Sequence, residues 1–158
     1  MRHTIGVIME NKPGVLSRIS TLLARRNFNI YSITAGPTQD NEVTRMTVIV
    51  EGDEYVADNA AAEMSKLEDV KEIERMAATD SMSREIMLIK VKAGVNERSG
   101  LIDMAKVMGA SIVDVTEATL MIEYSGRPEK IDVMIGLLSA YEVLDMARGG
   151  AIALRTGD

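Results

Sequence analysis

Apolar positions in the first half of the chain switch between a period of two and a period near 3.6. Residues 3–10 place Ile5, Val7 and Met9 on one face of a strand, and Ile8 on the other face indicates partial cover there. Asn11-Lys12-Pro13-Gly14 follows as a turn and helix-start signal. Leu16, Ile19, Leu22 and Leu23 then repeat at helical spacing, with Ser17, Arg18, Thr21 and Arg25 on the wet side. Phe28 to Thr34 reads as a second strand, and residues 36–41 carry turn chemistry. Residues 43–50 separate Met46, Val48 and Val50 from Arg45, Thr47 and Ile49. A helix over Glu54 to Leu67 carries the stripe Val56, Ala57, Ala60, Met64 and Leu67, and a strand over Val70 to Ala77 closes the series.

The second half repeats the order. It shows a strand near 84–93, a helix near 97–108, strands near 110–117 and 119–125, a helix near 128–139 and a strand near 142–154. The helix stripes are Leu101, Ile102, Ala105 and Met108, then Ile131, Met134, Ile135 and Leu138. The charge divides evenly between the halves, and Ala77 to Ser83 is small and polar enough for a linker. The expected architecture is therefore α+β: two ferredoxin-like βαββαβ domains, at residues 1–77 and 84–158, joined by a linker at 78–83. A unit of this size is marginal by itself, and one face of its sheet carries no helices. Oligomerisation is the expected remedy.

Composition narrows the chemistry. A net charge of −6 argues against a nucleic-acid-binding domain. Without cysteine there is no disulfide, thiolate nucleophile or Cys-ligated metal. His3, the single histidine, offers no cluster for a transition metal and is the one histidine that Ser17, Ser99 or Ser139 could pair with, so a Ser-His-Asp arrangement is not expected. No apolar run is long enough for a membrane helix and no secretory signal opens the chain, so a cytoplasmic protein is expected. Twelve Met beside one Phe and no Trp describe an adaptable aliphatic core. Glu51 with Asp53 and Glu68 with Asp69 read as solvated caps. Arg25-Arg26 suits a helix C-terminus, Gly149-Gly150 reads as a turn or bulge, and His3 reads as a surface residue at a strand start. Neither a catalytic nor a metal site is expected.

The informative segment is Glu10 to Ser17, where a strand ends and a helix begins within four residues. Unpaired amides and the helix dipole favour a carboxylate there, and Gly14 lets it approach the backbone. Asn11 has two readings: it caps the helix, or it holds a ligand. Asn29 lies across the sheet from Asn11 within one unit, so the two could meet only across a two-fold interface.

The runs Asn11-Lys12-Pro13-Gly14-Val15-Leu16-Ser17-Arg18, Asn27 to Thr34 and Arg45-Met46-Thr47 resemble the ACT domain of the acetolactate synthase small subunit. Arg84 to Lys90, Ile112 to Thr116 and Val143 to Arg148 resemble its second domain. The segment Ala93 to Arg98 matches no family pattern. The resemblance implies a regulatory subunit that activates a large catalytic subunit and confers feedback inhibition by a branched-chain amino acid, usually valine. It places thiamine diphosphate, FAD and Mg²⁺ in that catalytic partner and no cofactor in this chain. It also implies a homodimer through the ACT domains, with an effector site at Asn11, Gly14, Val15 and Leu16 of one chain and Asn29 and Ile30 of the other. Asn11 and Asn29 would bind the polar ends, while Val15, Leu16 and Ile30 would enclose the aliphatic side chain. Two alternatives are an ACT-type amino-acid sensor for a different enzyme and a small ferredoxin-like hydrolase of the acylphosphatase kind.

Overall fold

A computed structural model of the chain describes residues 1–157. They form two compact units, residues 1–83 with 151–157 and residues 84–150. In the first unit the order is β1 (Arg2–Glu10), α1 (Val15–Arg25), β2 (Asn29–Pro37), β3 (Val43–Glu51), α2 (Glu54–Met64) and β4 (Val70–Met76). The strands lie in the order β2-β3-β1-β4, all neighbours antiparallel. That arrangement is the ferredoxin-like βαββαβ unit. Alternation decides the faces. Ile5, Val7 and Met9 of β1 join Met46, Val48 and Val50 of β3 against Val15, Ile19 and Leu23 of α1 and Ala60 and Met64 of α2.

The helix stripe differs by one position from the expected one. Val15, Ile19 and Leu23 are buried, and Leu16 is exposed. The i, i+4, i+8 series starting at Val15 faces the sheet, which turns Leu16 toward solvent. Asp53 caps α2, its carboxylate accepting from the Val56 amide at 2.9 Å. His3 is buried, contrary to the surface position expected. Its side chain lies on the helix-covered face, where Nε2 donates to the Gly52 carbonyl at 3.1 Å.

The second unit carries β5 (Ser81–Lys92), α3 (Val95–Met108), β6 (Ser111–Val115), β7 (Thr119–Gly126), α4 (Pro128–Leu138) and β8 (Val143–Arg148), with strand order β6-β7-β5-β8. Its core joins Met87, Ile89 and Val91 to Leu101, Ala105, Ile131, Met134 and Leu138.

Each unit carries its own copy of one ion-pair clasp, which exposes the repetition. Arg75 pairs across β4 with Ile5, and Arg148 pairs across β8 with Met87. Arg75 binds Asp58 on α2, and Arg148 binds Asp132 on α4 at 2.6 Å. Each aspartate is the fifth residue of its helix. Two residues before Ile5 stands His3, whose Nδ1 is 3.4 Å from Arg75, and two before Met87 stands Glu85, 2.6 Å from Arg148.

Two boundaries differ from expectation. Residues 81–83 of the expected linker belong to β5. The expected single strand at 142–154 breaks after Arg148, and β9 (Ile152–Arg155), which pairs with β5, groups with the first unit. Besides its pairing with β5, the strand covers the face of the first sheet that has no helices. Thr47 there accepts from the Ala153 amide at 3.3 Å, and Ala151 and Ala153 are buried. The Thr156 amide donates to Asp80 and the Arg155 side chain to the Arg75 carbonyl. Small residues let a strand lie this close to a sheet.

Candidate functional site at the start of helix α1

Pro13 and Gly14 turn the chain from β1 into α1, and Gly14 takes φ 86°, a left-handed conformation that suits glycine. The first bond of the helical ladder runs from the Arg18 amide to the Gly14 carbonyl. The amides of Leu16 and Ser17 therefore precede the ladder, and among the described residues no side chain caps them. The first turn holds no acidic residue. A Cβ on Gly14 would lie 3.4 Å from Nη1 of Arg18, whose guanidinium also binds Asp69. Lys12 pairs with Glu10 at 2.6 Å, and that hydrogen bond and charge raise the Lys12 pKa. The corner thus presents backbone donors beside two cations that are each paired with a carboxylate of the chain, and the free amides suit an external carboxylate.

Asn11 does not cap α1. Its Nδ2 donates to the Asn41 carbonyl at 2.9 Å and its amide to the Glu42 carbonyl, fastening the end of β1 to the β2–β3 hairpin. With Nδ2 engaged, Oδ1 is its remaining acceptor.

Asn29 opens β2 and stands opposite Glu51, which stands opposite Arg2. From Arg2 to Glu10 is eight steps along β1, roughly 26 Å at ~3.3 Å per residue. Asn29 and the start of α1 therefore lie toward opposite ends of one sheet, and a single unit does not bring them together. Of the three apolar residues assigned to the effector's side chain, Leu16 alone is turned outward. Val15 is 2% exposed and contributes only backbone, and Ile30 packs against the unit's own core.

Sequence reasoning missed the neighbours of these residues. Asn29 Nδ2 donates to Glu51 at 2.7 Å, Arg2 Nε binds the other Glu51 oxygen at 3.2 Å, and the Arg2 guanidinium lies 3.5 Å over the Tyr31 ring. The signal is cross-strand register, which no linear motif displays. Arg18 was visible within the motif, but its place beside Gly14 follows from the helix turn.

Among the described residues no group of three or more His, Asp or Glu is placed to hold a metal ion, and no helix is long and apolar enough to cross a membrane.

Known proteins resemble the chain along its whole described length. Residues 5–72 match the family model for the AHAS small subunit-like ACT domain, and residues 84–157 match that for the small subunit of acetolactate synthase. A probable acetolactate synthase small subunit from Archaeoglobus fulgidus is 37% identical over 100% of this chain and 99% of its own length. An acetolactate synthase small subunit from Mycolicibacterium smegmatis is 36% identical over 98% of this chain and 91% of its own. The crystal structure of the acetolactate synthase small subunit from Thermotoga maritima superposes with a TM-score of 0.92 at 28% identity, covering 100% of this chain and 99% of that one. With an ACT domain followed by the second small-subunit domain, and relatives matched end to end, the chain belongs to the acetolactate synthase small-subunit family.

Proposed function

We propose that this chain is the regulatory subunit of a two-subunit acetolactate synthase, and that two copies together form a seat for a branched-chain amino acid, most simply valine. The observation that carries this reading is the uncapped start of α1 beside Gly14 and Arg18, with Asn29 at the far end of the same sheet. One unit has half of a zwitterion site at each end. A two-fold pair of ACT domains joins the α1 start of one protomer to Asn29 of its partner. The Leu16 and Ser17 amides take the effector's carboxylate, Leu16 covers its aliphatic side chain, and the Asn11 and Asn29 amides take its ammonium.

In this reading the small subunit performs no chemistry. Thiamine diphosphate, FAD and Mg²⁺ reside in the large subunit, where pyruvate is condensed with pyruvate or 2-oxobutyrate. The small subunit activates that partner in the cytoplasm. Valine withdraws the activation by binding better to the less activating arrangement of the ACT pair, since a ligand shifts an equilibrium only through differential affinity. Coupling of this kind is typically ~1–3 kcal/mol.

The test is titration of valine into the homodimer and into the reconstituted two-subunit enzyme, for the wild type and Gly14→Asp. The substitution places a fixed negative charge where the carboxylate binds. It is expected to abolish valine binding and feedback inhibition while activation persists. Unchanged valine affinity in this variant refutes the site.

A further inference from the structure

Around Asn29 four side chains on three strands form a continuous chain of contacts. The Tyr31 ring supports the Arg2 guanidinium at 3.5 Å, Arg2 Nε donates to Glu51 Oε1 at 3.2 Å, and Glu51 Oε2 accepts from Asn29 Nδ2 at 2.7 Å. Arg2, Glu51 and Asn29 are direct cross-strand neighbours on β1, β3 and β2. A side-chain amide has two possible orientations, and its surroundings decide between them. An ionised carboxylate only accepts, so Glu51 fixes Nδ2 inward and leaves Oδ1 of Asn29 pointing away from it. The cross-strand bond to Arg2 and the stacking of Arg2 on Tyr31 restrict where that carboxylate can go. The Asn29 end of the sheet therefore presents an amide acceptor oriented by a carboxylate that Arg2 holds in place. The α1 start presents the opposite: backbone donors and the Arg18 cation.

We infer that Glu51 is a positioning residue that makes the effector site selective for an amino acid over the same carbon skeleton lacking its amine. This inference rests on the proposed two-chain effector site and adds its polarity. The carboxylate end of a ligand is read at α1, and the ammonium end is read at Asn29 through the amide orientation that Glu51 imposes. A branched-chain carboxylic acid satisfies the first end only. It leaves the Asn29 acceptor without an ammonium donor, and loss of a hydrogen bond to a charged group is worth about tenfold or more in affinity. Such a sensor would report the finished amino acid and disregard deaminated acids of the same shape.

The experiment is calorimetric titration of the full-length homodimer with valine and, separately, with 3-methylbutanoate. The proteins are the wild type, Glu51→Gln, Arg2→Met and Gly14→Asp. Glu51→Gln keeps the size of the side chain but removes the charge and the constraint on the Asn29 amide. It is expected to lower valine affinity roughly tenfold and to leave 3-methylbutanoate binding unchanged, so the ratio between the two ligands collapses. Arg2→Met, which releases the Glu51 carboxylate without removing it, is expected to give a smaller fall in valine affinity and the same null effect on the acid. If the acid is too weak to register, the decision passes to the Asn29 side-chain amide resonance on valine addition. That resonance is expected to shift in the wild type and not in Glu51→Gln.

A purely structural role for Glu51 would weaken both ligands equally or lower the unfolding midpoint, and either result overturns the inference. Valine affinity in Glu51→Gln within twofold of wild type also overturns it. Gly14→Asp separates the two levels of the argument. If that variant still binds valine, the effector site itself is misplaced. If it does not bind valine and Glu51→Gln behaves like wild type, only the role of Glu51 is lost.

Discussion

Arg75 and Arg148 occupy the same place in two copies of one architecture, each on the last strand of its βαββαβ unit and each bound to the fifth residue of the second helix. The surroundings differ. Arg148 also binds Glu85, whose side chain is 2% exposed, whereas Arg75 binds Glu54 and Asp58, both 70% exposed. Desolvation makes a severed buried pair costly because the surviving charge has no water to turn to.

The same substitution should therefore have unequal effects. Arg148→Met strands Glu85 in the second unit and is expected to cost roughly 3 kcal/mol or more of that unit's stability. Arg75→Met leaves its carboxylates in solvent and is expected to cost no more than ~1 kcal/mol. Denaturant unfolding followed by a probe in each unit measures both. Equal losses would mean that burial does not set the strength of this clasp.

The clasp in the first unit also sets a titration. The hydrogen bond from Arg75, with help from the charges of His3 and Arg75, holds the Glu54 carboxyl below its ordinary value of 4.5. A depressed folded-state pKa gives stability that is present above the unfolded value and is lost as pH falls through the folded one. Carbon-detected titration of Glu54 is expected to show a midpoint below 4.5. In Arg75→Met that midpoint should move up toward the ordinary value.

Gly6 lies between Arg45 and Glu74, which meet across β1 on the face without helices at 3.2 Å. A Cβ at Gly6 would come within 2.5 Å of the tip of Met76 and 3.4 Å of both charged groups. Gly6→Ala displaces only the flexible Met76 terminus and should be well tolerated. Gly6→Val crowds the ion pair as well and is expected to cost ~1–3 kcal/mol. Thermal and denaturant unfolding of the pair of variants checks the difference.

The attachment of β9 to the first unit predicts a local effect at Thr47. Thr47→Val removes the acceptor for the buried Ala153 amide and is expected to cost ~1–3 kcal/mol, whereas Thr47→Ser preserves the bond. Hydrogen exchange at Ala153 should quicken in the valine variant and hold in the serine variant. Equal protection in both would show that pairing with β5 and packing of Ala151 and Ala153, not this bond, retain the strand.

Periodicity made the βαββαβ order readable in both halves, because strands and helices bury their faces at different spacings. The motif at Pro13 and Gly14 was equally readable, since a strand ending so near a helix must turn sharply and Gly14 supplies the left-handed residue that turn uses. Local sequence also favoured a helix start without an acid in its first turn. Tertiary structure decided what depends on pairing distant segments. The α1 register against the sheet sent Val15 inward and Leu16 outward, although both suit an apolar stripe. Strand alignment put Arg2, Glu51 and Asn29 in one row, though they are far apart in the chain. The C-terminal strand carried a valid strand pattern, yet pairing with β5 and the helix-free face of the first sheet, with the Thr47 hydroxyl and room for two alanines, determined where it would lie. Local pattern specifies which elements form, and burial of faces that no local pattern can satisfy specifies their neighbours.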